Sequence, residues 1–335
     1  MDGNPTEAGH EYITAQILNA LNITYYTPEE PEVLPEGLFR LKGATRYETG
    51  FAIANQVKEL LEVEKFETVV VAYGEKFPDA LTGSYLAAKY NAPILLTDKK
   101  VDADVVDYIN KNLVAGGKVF ILGGEAAVTA EFESAVEEFG FEVERLKGSD
   151  RYATNLAILN KAGVDTETEI LIATGNNYAD SLSASATGLP MLLGNKELTA
   201  EQKAFLEGSS KKFAILGGTA AVSAEIEAEL AQIGEVVRVK GTSRYETSVV
   251  IAERYFSEFN GAVLAYGEAF PDGLCGGPLA ALIGGPLVLT HNDKLAAADA
   301  LIEGVNYGYV TGGTARLTDA TVQDIFDTAA EVVVK

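Results

Sequence analysis

Three Arg-Tyr pairs, Arg46-Tyr47, Arg151-Tyr152 and Arg244-Tyr245, place a guanidinium beside a phenol ring at corresponding points of the chain. A guanidinium offers a planar fork to a phosphate or carboxylate, and the neighbouring ring can lie against a sugar. Lys42, Lys147 and Lys240 stand just upstream of the pairs, and a lone buried ammonium is costly, so these lysines are expected at the surface. Asp79, Asp180 and Asp272 close G-x-x-[FY]-x-D turns that begin at Gly74, Gly175 and Gly267. Such a turn leads from the C-terminal end of a strand into a helix, where open α/β sheets collect ligands. Each group also has a plainer role: the aspartates cap their helices, or the arginines pair with them inside or between copies while the tyrosines enter the core.

These residues belong to a unit written three times. RLKGATRYETG at Arg40 returns as RLKGSDRYATN at Arg145 and as RVKGTSRYETS at Arg238. The period, about 95 residues, is too long for a solenoid and suits a small α/β subdomain. In the first copy Tyr47, Phe51, Ala54, Val57 and Leu61 recur at helical spacing, which predicts a helix over 46–61. Thr45 with Glu48, and Ser243 with Glu246, form capping boxes, and Asp150 is the N-cap of the second copy. Apolar runs at 68–72, 93–96 and 118–122 predict fully buried strands, as do 170–173, 190–193 and 213–216, then 262–265, 286–289 and 308–310. The strand before each block, 142–145 and 235–238, recurs as 331–334, which predicts that the last copy closes its own sheet with it.

Taken in order, R-[LV]-K-G-x-x-R-Y-x-T, the Asp turn, a P-[ILM]-L-L-like strand and a Gly-Gly turn resemble the cell-wall-binding repeat found in triplicate on surface proteins of Gram-positive bacteria. The resemblance covers residues 38–335. It implies three small, mostly parallel α/β subdomains of Rossmann/toprim-like type in a pseudo-threefold arrangement. It also implies non-covalent anchoring to an anionic secondary cell-wall glycopolymer, without catalysis, at the cell wall or extracellular surface. Polymer contacts are then expected at Lys42, Arg46, Tyr47, Asp79, Lys147, Arg151, Tyr152, Asp180, Lys240, Arg244, Tyr245 and Asp272. Neighbouring surface-layer proteins are a second class of partner.

The apolar strands 94–96, 191–193 and 287–289 read first as central-strand core, with any ligand role at Thr97, Gly194 and Thr290 beyond them. Gly123-Gly124, Gly217-Gly218 and Gly312-Gly313 follow strands, but no dinucleotide or Walker pattern accompanies them. Asp102 and Asp104 have no counterpart in the other copies, so a shared metal chemistry is not expected there.

The net charge of -23 disfavours nucleic acid and anionic membranes. An acidic polymer then requires local basic clusters, or a divalent cation bridging carboxylate to polymer. No cofactor is otherwise expected, since Cys275 is single and His10 and His291 are far apart. No apolar run approaches the roughly 18 residues that span a bilayer. The first residues lack the features of a signal peptide, so an export signal is expected upstream.

Residues 1–26 are similar to the closing block of SGNH-type esterases, except that Asn4 stands before Pro5 where those enzymes place a His. An amide cannot shuttle the nucleophile's proton, so this segment is expected to be an inert remnant, joined by a Pro/Glu linker at 27–37 to repeats at 38–140, 141–234 and 235–335. Two alternatives remain from sequence: a fragment of a wall esterase or amidase without its catalytic part, and an S-layer assembly module.

Overall fold

The computed structural model describes residues 37–293, 295–305 and 307–335. The expected hydrolase remnant at 1–26 and nearly all of the linker lie outside the described residues.

The chain alternates strand and helix. Its first stretch runs β1 (Gly37–Leu41), α1 (Arg46–Leu60), β2 (Phe66–Tyr73), α2 (Pro78–Lys89), β3 (Ile94–Thr97), α3 (Ala103–Asn112), β4 (Leu113–Leu122), α4 (Ala130–Glu137) and β5 (Glu142–Leu146). The second runs α5 (Arg151–Ala162), β6 (Ile170–Thr174), α6 (Ala179–Ala184), β7 (Met191–Gly194), α7 (Ala200–Ser209), β8 (Lys212–Leu216), α8 (Ala224–Leu230) and β9 (Glu235–Val239). The third runs α9 (Arg244–Tyr255), β10 (Gly261–Tyr266), α10 (Gly276–Leu282), β11 (Leu287–Thr290), α11 (Leu295–Ile302), β12 (Tyr307–Thr311), α12 (Asp319–Ile325) and β13 (Val332–Val334).

Each apolar run becomes a strand buried on both faces. In the second copy Ile170, Ile172, Phe213 and Ile215 pack on one side of the sheet, and Leu171, Ala173, Ala214 and Leu216 on the other. That two-sided burial is why the runs show no alternation of apolar and polar residues. The three sheets are β3-β2-β4-β5, β7-β6-β8-β9 and β11-β10-β12-β1-β13, and every pairing is parallel.

The third sheet corrects one expectation. The final strand β13 does not close it; β1 takes the place beside β12, and β13 pairs outside β1. The reason is a side chain. Arg145 of β5 donates to the carbonyls of Gly123 and Val128, and Arg238 of β9 to those of Gly217 and Val222, pinning each Gly-Gly turn and the loop after it. The segment 331–334 has no arginine, whereas β1 carries Arg40, which donates to Gly312 and Leu317 and pairs with Asp319 at 2.7 Å. The strands heading the sequence repeats therefore complete the sheet of the copy before them, and the first copy's strand completes the third.

The helices continue this circular order. The helix after the Asp turn packs on the first helix of the next copy: α2 on α5, α6 on α9, and α10 back on α1. The ring of three copies is thereby closed, in the pseudo-threefold arrangement that the repeat implies.

The caps form with one difference. Thr45 and Ser243 accept from the N–H of Glu48 and Glu246, but these glutamates reach back to the N–H of Ala44 and Thr242, one residue beyond the cap. Asp150 accepts from Tyr152 and Ala153 as expected.

Candidate functional site

The recurring residues gather at the C-terminal ends of the strands. In the K-G step the N–H of Gly43, Gly148 and Gly241 donates to the buried hydroxyl of Thr49, Thr154 and Thr247, at 3.1, 3.1 and 3.0 Å. A Cβ at any of these glycines would lie 2.1 to 2.4 Å from an atom of Glu48, Ala153 or Glu246, so the loop closes tightly only with glycine. The following arginine is thus aimed by the loop rather than by its own packing.

Arg46 donates to the carbonyl of Gly74 at 2.8 Å, Arg244 to that of Gly267 at 2.6 Å, and Arg151 to that of Gly175. Tyr47, Tyr152 and Tyr245 lie flush against the same three glycines, where a Cβ would come within 2.6 to 2.8 Å of the ring. Tyr47 donates to Glu75 at 3.1 Å and Tyr245 to Glu268, while the second copy has Asn176 at that place. Each Arg-Tyr pair therefore clamps the turn that carries the aspartate. The arginines remain half-buried, as do Tyr47 and Tyr152, whereas Tyr245 is buried.

The aspartates do not cap. Asp79 and Asp180 are second residues of α2 and α6, whose N-cap positions, Phe77 and Tyr178, make no side-chain cap bond, and Asp272 lies upstream of α10. Each carboxylate instead rests on the first glycine of a Gly-Gly turn. A Cβ on Gly123, Gly217 or Gly312 would lie 2.7, 2.4 or 2.5 Å from the Oδ2 of Asp79, Asp180 or Asp272. These glycines also have φ of +96°, +85° and +90°, so conformation and space both demand glycine.

Burial pushes Asp79 up to about 6, against the opposing pull of Arg151 and Lys76. Asp180 is raised by burial against Arg244, and Asp272 by burial against Arg316 and Arg46. Each aspartate thus faces the Arg-Tyr arginine of the next copy around the ring. Among the described residues none of these pairs closes to a salt bridge, so the coupling weighed from sequence acts through the field rather than by contact.

At the centre, Phe77, Tyr178 and Phe270, one from each Asp turn, meet edge to face. Their centroids are 6.1, 5.8 and 5.5 Å apart and their planes inclined by 63°, 62° and 60°. Tyr178 alone of the three bears a hydroxyl, which donates to Gly267 at 3.0 Å and accepts from Arg244 at 2.9 Å. Lys42, Lys147 and Lys240 are exposed at the strand ends, and Lys147 stands 3.8 Å from Glu125.

Two groups escaped sequence reasoning. The buried Arg40 and the half-buried Arg145 and Arg238 were visible as the first letter of the recurring block, yet the burial of a charge cannot be read from its recurrence. The aromatic trio was visible as the [FY] of each Asp turn, but its convergence needs the ring closure. The hydroxyls of Thr97 and Thr290, singled out at the strand ends, are buried and have no hydrogen-bond partner among the described residues. No group of three or more His, Cys, Asp or Glu side chains among the described residues could hold a metal ion. No helix among them is long and apolar enough to cross a membrane.

Three sheets joined in a ring, with one motif repeated at each seam, define a class of triplicated α/β binding module. The family model for cell wall binding domain 2 matches residues 40–133, 145–227 and 238–322, and the chain belongs to this family. It is similar to the N-acetylmuramoyl-L-alanine amidase LytC of Bacillus subtilis (strain 168), 27% identical over 266 residues, covering 77% of this chain and 51% of the amidase. The amidase enhancer of the same organism is 26% identical over 296 residues, covering 85% of this chain and 39% of the enhancer. The chain therefore spans about half of the one curated relative and less of the other. Among solved structures, Cwp8 from Clostridium difficile superposes with a TM-score of 0.79 at 25% identity, covering 95% of this chain and 55% of that one. Cwp6 from the same organism superposes with a TM-score of 0.79 at 22% identity, covering 92% and 51%.

Proposed function

We propose that this chain anchors a protein to the cell wall by holding an anionic wall glycopolymer along the rims of its three seams, without turnover of its own. The observation that carries this reading is the closed ring. It presents the same half-buried arginine and the same exposed lysine three times, at the strand ends where α/β sheets gather ligands. Three equivalent weak contacts with one polymer gain from effective concentration, so tight retention needs no strong single site. The net charge of -23 confines attraction to these local points, because charges beyond about 8 Å are screened at physiological salt. A divalent cation bridging a rim carboxylate to the polymer is the second route by which an acidic body can hold an acidic chain.

The test is sedimentation of the purified chain with wall fragments before and after chemical removal of the glycopolymer. Retention is expected only with the polymer present, and equal retention on stripped peptidoglycan overturns the reading. Repeating the measurement in a chelator decides the cation route. A second reading, that this stretch serves as the targeting part of a longer wall hydrolase, is favoured by the amidase relative. A turnover assay on amide-linked wall fragments with a longer chain addresses it.

A further inference from the structure

The three copies agree along the Arg-Tyr block and part company where the strand ends meet the loops beyond them. The residue after β3, β7 and β11 is Asp98, Asn195 and His291 in turn, and the third residue after each Gly-Gly turn is Ala127, Ala221 and Arg316. The last residue of β2, β6 and β10 is Tyr73, Thr174 and Tyr266. Between the first copy and the third, a carboxylate has given way to an imidazole and a methyl group to a guanidinium. The first copy does bring Lys99 to within 5.9 Å of the Tyr73 ring centre, but the residue before it is Asp98.

In the third copy these side chains form one stack. The Arg316 guanidinium lies 5.3 Å from the centre of the half-buried Tyr266 ring, and the His291 ring is 5.3 Å from the same ring with its plane inclined by 34°. A guanidinium laid on a ring face is positioned by it and keeps its planar fork of N–H groups for another partner. Arg316 is exposed, and its side chain makes no hydrogen bond or ion pair among the described residues. The Nδ1 of His291 accepts from the N–H of Asp293 at 3.1 Å, so the neutral ring carries its proton on Nε2, for which the described residues supply no partner.

The two loops that carry the stack are tied together by Asn292. Its amide donates to the carbonyl of Arg316 at 3.0 Å, and its oxygen accepts from the N–H of Thr318 at 3.3 Å and the hydroxyl of Thr321 at 2.7 Å. The other copies have Lys99 and Lys196 at this place, so the side-chain strut is also particular to the third. The acids nearby leave the donors available. Asp272, raised by burial, lies in the field of Arg316 without an ion pair to it among the described residues, and Asp293 approaches His291 at Nδ1, 3.7 Å away.

We infer that Arg316, Tyr266 and His291 form an oxyanion site particular to the third copy, where the guanidinium fork and the Nε2–H of the imidazole take a phosphate or carboxylate group. Two parallel N–H groups of a guanidinium match two oxygens of such an anion, and the imidazole supplies a further donor. Neither other copy offers this set: alanine has no donor, and Asp98 would repel the ligand. The inference deepens the proposed anchoring and rests on it for the expectation that the oxyanion belongs to a wall polymer. To the contacts that the three seams share, it adds one that a single copy makes.

The chain has two histidines, so its imidazole spectrum holds two signals, and His291→Gln identifies that of His291. Inorganic phosphate, glucuronate and neutral N-acetylglucosamine are titrated into the full chain at constant ionic strength set with chloride. The His291 signal is expected to move with an oxyanion and to stay with the neutral sugar. A response to phosphate or to glucuronate alone names the group and supports the site, whereas a response to neither, or an equal response to chloride, overturns it. Arg316→Ala installs the residue that the other two copies carry, so the fold should survive while the response weakens about tenfold or more. An unaltered response overturns the site. His291→Asp, which copies the first repeat, should abolish the response read at the Nε–H signal of Arg316, and it decides the matter should Arg316→Ala fail to fold. Sedimentation with wall fragments reports separately. Sedimentation without an oxyanion response overturns the site and leaves the anchoring reading standing, and the reverse pattern upholds the site and overturns the anchoring.

Discussion

Each copy contains two arginines six residues apart in the recurring block, and they have opposite fates. Arg40, on the strand, is wholly buried and holds two backbone carbonyls and a carboxylate, whereas Arg46, on the helix, holds one carbonyl, stands 3.5 Å from the carboxylate of Glu75 and leaves about a quarter of its side chain in water. The first works on architecture, because the turn it grips carries the glycine against which an aspartate rests. The second remains available at the rim. Identical chemistry is thus divided by position: the first arginine of each block lies on a strand beside the Gly-Gly turn that it grips, while the second begins a helix.

That division is broken most directly by substitution at Arg40. Arg40→Ala leaves the carbonyls of Gly312 and Leu317 without donors and weakens the strand that closes the ring, so a loss of about 3 kcal/mol or more is expected by chemical denaturation. Arg46→Ala removes one half-buried bond and should cost about 1 kcal/mol. Equal losses at the two sites would erase the distinction between them.

The next largest effect concerns the seams. Asp79 is pushed up to about 6 by burial, so the folded state holds its proton at a pH where the unfolded chain has released it. The folded state then binds more protons between about 4 and 6, and the group's contribution to stability falls as pH rises through that window. Asp79→Asn should flatten this slope and raise stability at pH 7 by up to about 2 kcal/mol, as measured by urea unfolding at several pH values. An unchanged slope would mean that Arg151 compensates fully for burial. Tyr178→Phe should cost about 1 kcal/mol, since it removes the hydroxyl that bridges Arg244 and the carbonyl of Gly267 and leaves only their direct bond, at the seam where the central ring carries a hydroxyl.

Much of this was legible in the chain. Continuous apolar runs such as 94–96 announced strands covered on both faces, and Thr45, Asp150 and Ser243 announced the helix starts. What could not be read was long-range pairing. The C-terminal EVVVK repeats the apolar pattern of β5 and β9, and pattern alone assigned it to the closing position. The deciding feature was Arg40, whose partners lie 272 to 279 residues away. The capping role weighed for the aspartates fails for a related reason. Local spacing gives the helix starts, but the groups the aspartates rest on, Gly123, Gly217 and Gly312, come from another strand's end.

The smallest expected change in stability belongs to the residues placed furthest out. Lys42, Lys147 and Lys240 are exposed, and the one ion pair that they make among the described residues, Lys147 with Glu125 at 3.8 Å, joins two solvated side chains. Replacing all three by Glu should move the unfolding free energy by no more than about 0.5 kcal/mol each, because solvated charges at this spacing contribute little. Retention on the wall should respond very differently. Three linked contacts multiply, so losing about tenfold at each removes far more than any single substitution, and the loss should deepen as salt is lowered, when repulsion between the acidic body and an acidic polymer is least screened. A triple variant that unfolds would place these lysines with Arg40 as structural residues. One that stays folded and still sediments would move the polymer contact inward, to the half-buried arginines at the seams.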